Sequence, residues 1–310
     1  MGVNILQKTV LKFVAQLLLL LIIVVIMIAF TSIPRELDFY MDAGKISMNM
    51  PVEEVTQNVK DTFDMFISRE IFDIVIFGQS LLEFWGVAAK RSLVLLGSAT
   101  LLTVIFGGSK GVLEARKKPN ASQNIKLMFS LVPLSLPDVM TVSLVQIASI
   151  YLYYNDISLP GLGRIPFLGD ETWQQSIYPI LALSILPLSY FSRMTASTIE
   201  TGLKQPYILV ARGKGCSQSR LLKNHLLKDI LYHMLAIFPT IIGILFSSML
   251  IVERLFHYKG MGYYLIDLYI TSLLPERIAE LAFSWFLVSL VIFYFLLYAI
   301  LQFMKELIDA

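Results

Sequence analysis

Residues Tyr207–Asp229 read YILVARGKGCSQSRLLKNHLLKD, a basic stretch between two hydrophobic runs, Ser176–Met194 and Met234–Val252, each long enough to cross a bilayer. A connection that only joined two helices could be far shorter, so this one is expected to make a contact of its own. Pro206 suits a helix start and the stretch Gly213–Ser219 favours a break, so the segment reads as helix, tight turn, helix. Leu209, Val210, Leu221, Leu222, Leu226 and Leu227 supply apolar anchors, and Ala211, Gly213 and Gly215 let another backbone approach closely. Arg212, Lys214, Arg220 and Lys223 offer cations either to an acidic protein rim or to anionic lipid headgroups.

Working outward, the whole chain carries the same signature. Its 310 residues are 56% hydrophobic and 15% charged, with a mean hydropathy of +0.70; soluble domains run at about 45–50% apolar. The single cysteine, Cys216, excludes an internal disulfide. A span needs about 20 mostly apolar residues, because a helix rises ~1.5 Å per residue through roughly 30 Å of hydrocarbon. Six segments qualify: Phe13–Thr31, Ser92–Gly108, Leu127–Tyr154, Ser176–Met194, Met234–Val252 and Leu281–Met304. The third holds Pro133, Pro137 and Asp138, so its helix is expected to start or kink near the second proline. Pro179, Pro187 and Arg193 interrupt the fourth. The first run is expected to be an uncleaved anchor, since no small-x-small pattern follows it before Pro34.

Lys and Arg set the orientation. They crowd the start (Lys8, Lys12), the second connection (Lys110, Arg116, Lys117, Lys118, Lys126) and the fourth (Arg193, Lys204, Arg212, Lys214, Arg220, Lys223, Lys228), while Arg164, Lys259 and Arg277 are sparse in the third and fifth. Both termini are therefore expected in the cytoplasm. The outer segment Ser32–Arg91 holds ten acidic residues and six basic ones, and long loops cross regardless of charge. Within it Val55, Val59, Phe63, Phe66, Ile67 and Phe72 recur at helical spacing. This predicts an amphipathic helix, on the bilayer or over the bundle, or a lip that meets a delivery protein. The chain divides accordingly into an N-terminal span (1–31), an extracytoplasmic segment (32–91), a core of five spans (92–304) that includes the connection 200–230, and a short tail (305–310).

Motifs for bond chemistry are missing. Gly107-Gly-Ser-Lys110-Gly and Gly213-Lys-Gly215 do not have phosphate-loop spacing, and read as glycines at helix ends beside interfacial lysines. His225, His233 and His257 form no zinc-binding pattern. The spans hold almost no ionisable group, which argues against an intramembrane protease. Asp138, with Gln146 two turns on, is the exception: a polar stripe toward a translocation path, or an interfacial Asp at the end of a shortened span. Asn120-Ala-Ser122 matches a glycosylation sequon, but on the cytoplasmic side.

The segment Tyr207–Asp229 resembles the ATPase-docking loop of bacterial ABC importer permeases of the dipeptide, oligopeptide and nickel class, which reads Y-x-x-x-A-R-A-K-G and then R-x-x-x-x-H-A-L-R-N. Phe77-Gly-Gln-Ser80 resembles that family's outer L-G-x-S, Gly111-Val-Leu-Glu-Ala115-Arg-Lys its G-V-x-A-A-x-x, Pro160-Gly-Leu-Gly163 its L-P-x-x-G, and Val252-Glu253-Arg-Leu-Phe256 with Gly260-Met-Gly262 its V-E-T-V-F-x-x-P-G-L-G. Gly213 replaces the usual Ala, His233 and Lys259 replace prolines, and the outer G-D-P is missing, so the chain resembles a divergent member.

The resemblance implies an all-α integral membrane protein with six transmembrane helices, like a type I ABC importer permease, and a cytoplasmic coupling helix between helices 4 and 5. It implies a non-catalytic subunit in a bacterial cytoplasmic membrane, forming half of a path for short peptides or a related solute such as signalling peptides, nickel, metal chelates or sugars. The expected partners are a second homologous permease, two cytosolic ATPases that use ATP and Mg, an extracellular or lipid-anchored substrate-binding protein and the bilayer; no nucleic acid and no metal of its own are expected. Tyr207, Ala211, Arg212, Gly213, Gly215, Ser217, Arg220 and Leu221 are the expected ATPase-coupling residues, and Gly260 and Gly262 are expected to shape an outer turn. The rival readings are a stand-alone secondary transporter or channel, which would want coupling carboxylates at mid-membrane and often internal repeats, and a membrane enzyme.

Overall fold

The structure, a computed structural model, describes residues 2–33, 38–42, 45–49, 52–115, 131–158, 161, 163–270 and 274–309. In chain order the elements are α1 (Gly2–Thr31), β1 (Asp38–Asp42), β2 (Lys45–Asn49), α2 (Val52–Ser68), β3 (Val75–Ile76), β4 (Gln79–Ser80), α3 (Leu81–Leu102), α4 (Gly108–Ala115), α5 (Asp138–Tyr154), α6 (Ile177–Gly202), α7 (Pro206–Gly213), α8 (Gln218–Leu221), α9 (Leu227–Leu255), α10 (Met261–Ile270) and α11 (Glu276–Asp309). π-helical turns Thr103–Gly107 and Leu222–Leu226 splice α3 to α4 and α8 to α9. Among the described residues five helices are long and apolar enough to span: Phe13–Thr31, Leu81–Ala115, Trp173–Gly202, Asn224–Leu255 and Glu276–Lys305. The remaining expected span is α5, whose 17 residues sit at the short limit for crossing hydrocarbon. It starts at Asp138 behind Pro137, as the proline implied, because proline disfavours helix in the residue before it.

The helices run past the hydropathy spans at several boundaries: the fourth continues to Gly202 and the fifth covers Leu227–Leu255. The second helix begins at Leu81, not Ser92, and the last at Glu276, not Leu281. In both cases charged residues (Lys90 and Arg91; Arg277 and Glu280) lie inside the helix, where a hydropathy window sees a loop.

The fold divides into two compact units, Met1–Val87 with Tyr264–Leu296, and Ala88–Tyr263 with Leu297–Ala310. In the first, α1 is held near its C-terminal end, where Ile28 is buried and the Thr31 and Ser284 hydroxyls share a 2.5 Å hydrogen bond. The expected amphipathic helix is α2, and it packs onto α11. Arg277 donates to the Asn58 carbonyl (3.2 Å) and to the Thr62 hydroxyl (3.0 Å), while Phe66 and Phe72 face the Trp285 ring at 5.8 and 4.7 Å between centroids. The segment between α1 and α3 also contains strands. β1 pairs antiparallel with β2, Asp38 opposite Asn49, and β3 with β4 through a two-residue turn at Phe77-Gly78. Both turn residues are left-handed, φ 49° and 81°, as a type I′ turn requires. Ser80 then accepts the Glu83 backbone N–H (3.3 Å), capping α3 with Glu83 in its first turn. The L-G-x-S-like motif is thus a hairpin that feeds a helix cap.

The second unit is built around α6. α4 runs against it at Gly107 and Gly111: a Cβ on Gly111 would lie 2.5 Å from the Ser192 carbonyl oxygen and 2.6 Å from Thr195 Cβ. The glycine cluster read as a helix end is therefore a close helix crossing, possible because no side chain intervenes. α9 packs on the same helix, with Met234, Ile241, Leu245 and Met249 buried.

Candidate functional site

The connection between α6 and α9 folds as its sequence implied. Pro206 takes the first helical position of α7, and Gly215, at φ 84° with nothing within 4 Å of a Cβ position, makes the turn before α8. What holds this element to the bundle is a cluster of Ile199, Ile208, Leu221, Leu222 and Leu226, all buried, with Val112, Ala115, Leu203, Ala211, Cys216 and Ile230 packed around it. Tyr207 donates its phenol to Asp229 (3.0 Å), tying the start of α7 to the start of α9; partial burial, then the bond and charge of Asp229, push its pKa above the ordinary value near 10.0.

Of the eight expected coupling residues, Arg212, Gly213, Gly215, Ser217 and Arg220 are exposed, Tyr207 is 47% exposed, and Ala211 packs on the cluster. Leu221 is 1% exposed: its side chain anchors the element and does not reach out of it. Leu209 and Val210, read as anchors, are instead 53% and 60% exposed. They give the outward face an apolar centre beside Arg212, Lys214 and Arg220. Sequence reasoning missed this inversion, because in the consecutive run Ile208-Leu209-Val210 periodicity does not say which residue turns inward. Beside this element a cavity of about 550 Å³ opens between Thr198, Thr201, Gln205, Tyr207, Lys228 and His233.

Asp138 and Gln146, the expected path residues, both engage α9. Asp138 accepts from the Ser248 hydroxyl (2.6 Å) and Gln146 donates to the Leu255 carbonyl (2.5 Å). Contacts of this kind act as interhelical glue within a membrane.

At the far end of α9 lies Glu253, fully buried. Its carboxylate accepts the Ser92 hydroxyl (2.5 Å) and the backbone N–H groups of Gly262 (2.7 Å) and Tyr263 (3.0 Å), and Ser92 in turn accepts the Met261 N–H (2.7 Å). The unpaired donors opening α10 are thereby satisfied from two other helices. A Cβ on Gly260 would collide with the Glu253 carboxylate and the Ser92 hydroxyl, and one on Gly262 would lie 2.9 Å from Leu250 Cα. The glycines do shape a turn, and the V-E and G-M-G elements prove to be one construction. Arg91 bridges to Asp170 (2.5 Å) and donates to the Lys259 carbonyl (3.3 Å), and Gly169 N–H donates to the Phe256 carbonyl (3.1 Å). Pro160 and Leu162 of the expected L-P-x-x-G-like motif, like the sequon at 120–122 and the basic run 116–118, lie outside the described residues.

Residues 91–310 match the family described as the binding-protein-dependent transport system inner membrane component. The chain is 31% identical over 170 residues to the dipeptide transport system permease protein of Lactococcus lactis subsp. cremoris, covering 54% of this chain and 53% of that one. It is 25% identical over 165 residues to the glutathione transport system permease protein of Escherichia coli K12, covering 53% and 51%. The chain spans about half the length of these curated relatives. Among solved structures it resembles an inward-facing conformation of the MetNI methionine ABC transporter, with a TM-score of 0.53 and 16% identity over 73% of this chain and 97% of that one. That likeness shows a shared fold. With a family match covering residues 91–310, the chain belongs to the inner membrane components of binding-protein-dependent transport systems.

Proposed function

We propose that this chain is a permease subunit of an ATP-driven importer of short peptides or a glutathione-like solute, coupled to cytosolic ATPases through residues 207–229. The observation that carries the reading is the exposed side of this element: Leu209 and Val210 are exposed on α7, and the cations Arg212, Lys214 and Arg220 are exposed in the same short segment, whose buried side is locked to α6 and α9 by the Ile208–Leu221 cluster. Exposed apolar residues among cations suit an acidic-rimmed groove on a partner. The rigid attachment would let partner closure move α9 as a body. The names of the relatives, dipeptide and glutathione permeases, support the cargo class.

In this reading the chain performs no bond chemistry. ATP and Mg belong to two cytosolic ATPase subunits, a second homologous permease completes the path, an extracellular or lipid-anchored binding protein delivers cargo, and both termini lie on the cytoplasmic side of a bacterial cell membrane. The test is reconstitution. The chain alone in liposomes is expected neither to hydrolyse ATP nor to accumulate a radiolabelled dipeptide. Together with its ATPase, second permease and binding-protein partners it is expected to do both. Uptake by the chain alone under an ion gradient would sink the reading in favour of a secondary transporter.

A further inference from the structure

α9 joins the two constructions described above. Its first residue follows the π-helical turn leaving the foot, and its last turn carries Glu253; the helix has 29 residues, with Pro239 inside it, and is about 44 Å long at ~1.5 Å per residue. Resting on the transport reading, we propose that Glu253 is a positioning residue for transport, the clamp through which displacement of the foot is delivered to the opposite end of the permease.

Three features carry this. The carboxylate is fully buried and its neighbours are all donors: the Ser92 hydroxyl on α3 and the N–H groups of Gly262 and Tyr263 on α10. Removing it would orphan buried donors on two separate elements at once, a cost larger than the net worth of the bonds themselves. The turn between α9 and α10 is fixed again from outside the clamp, by Gly169 on the Phe256 carbonyl and by Arg91 on the Lys259 carbonyl. Arg91 also closes on Asp170, whose side chain is only 5% exposed. The start of α10, the residues around Arg91 and the segment at 169–170 are therefore all attached to the tip of α9. Finally, Gly260 is bare backbone where any side chain would force the carboxylate out, and a Cβ on Gly262 would crowd it at 3.1 Å after meeting Leu250 Cα at 2.9 Å, so the sequence keeps room for this contact. Side chains in such a packed junction shift between discrete arrangements and do not stretch, and the clamp transmits displacement without taking it up.

The experiment uses the complete assembly in liposomes and reads dipeptide uptake per ATP hydrolysed, alongside the yield of assembled complex. Glu253→Gln, which presents an amide –NH2 where one of these donors needs an acceptor, and Gly260→Ala, which keeps every donor and acceptor but pushes them apart, are each expected to assemble in normal yield and to lose about tenfold in uptake per ATP. Gly97→Ala, at an exposed position with nothing within 4 Å of the added Cβ, is expected to match wild type. If the Glu253 and Gly260 variants keep wild-type uptake per ATP, or only lower the yield of assembly while surviving complexes transport normally, the clamp is a structural cap and the proposal falls. A wild-type assembly that hydrolyses ATP without uptake would instead strike the transport reading, and the clamp with it.

Discussion

Glycine 111 illustrates what a single residue decides. Its missing side chain lets α4 lie on the backbone of α6, and an added Cβ would sit 2.5 Å from a carbonyl oxygen that cannot move without shifting the helix. Gly111→Ala is therefore expected to cost about 1–3 kcal/mol as overpacking, read as a lower melting temperature in detergent. Gly108→Ala, which meets only Phe191 at 3.5 Å, should be close to neutral. Phe77 makes the opposite case. It holds φ 49° at the tip of the β3–β4 hairpin with 54% of its surface exposed, a conformation that Asn tolerates and Phe does not. Phe77→Asn is expected to raise the melting temperature by relieving strain of about 1 kcal/mol; an unchanged or lower value would mean that the Phe77–Phe84 ring contact at 5.9 Å outweighs the strain. Neither effect is readable from the sequence alone. Gly111 looked like a helix end because its neighbour Ser192 is 81 positions away, and Glu253 gave no sign of its partner Ser92 for the same reason.

Among the elements, the foot separates what local signals can and cannot say. Pro206 and the glycines from Gly213 set its helices and its turn because those residues act through backbone φ, a property visible without any partner. Which leucine faces inward is a tertiary matter, and α7, at eight residues, is too short for periodicity to decide it. Leu221→Ala is expected to cost about 2–5 kcal/mol, since it empties a fully buried position, and to release the foot from α6, read as faster proteolysis within 207–229. Leu209→Ser should leave stability within about 0.5 kcal/mol of wild type and weaken capture of the ATPase subunit in detergent pull-downs. Equal effects of the two would mean that the exposed face carries no partner. The Tyr207–Asp229 bond ties the foot to the base of α9. Because the folded-state pKa of Tyr207 is raised, its contribution is complete below the ordinary tyrosine value near 10.0 and is lost only as pH climbs through the folded value, so coupling through it is insensitive to pH across the neutral range.

For the molecule as a whole, helix length and membrane thickness are separate quantities. The continuous run Leu81–Ala115 has 35 residues, about 52 Å, against roughly 30 Å of hydrocarbon. Arg91 and Lys110 lie 19 positions apart, about 29 Å, and bracket the part that lipid can cover. Hydropathy placed the span at 92–108, between these two charges, and did not see the rest of the 35-residue helix, because a helix leaving the membrane keeps its backbone hydrogen bonds while its side chains turn polar. Charge gives the expectation for which end faces which compartment. If lysines and arginines cluster on the cytoplasmic side, the foot lies inside and Glu171, at the other end of α6, lies outside; both Gly213 and Glu171 are exposed. With Cys216 replaced by serine, a membrane-impermeant maleimide is expected to label Glu171→Cys in intact right-side-out vesicles and Gly213→Cys only after inversion or permeabilisation. The reverse pattern would put the basic connection on the outer surface, where no nucleotide-driven subunit could reach it, and the coupling role of residues 207–229 would have to be abandoned.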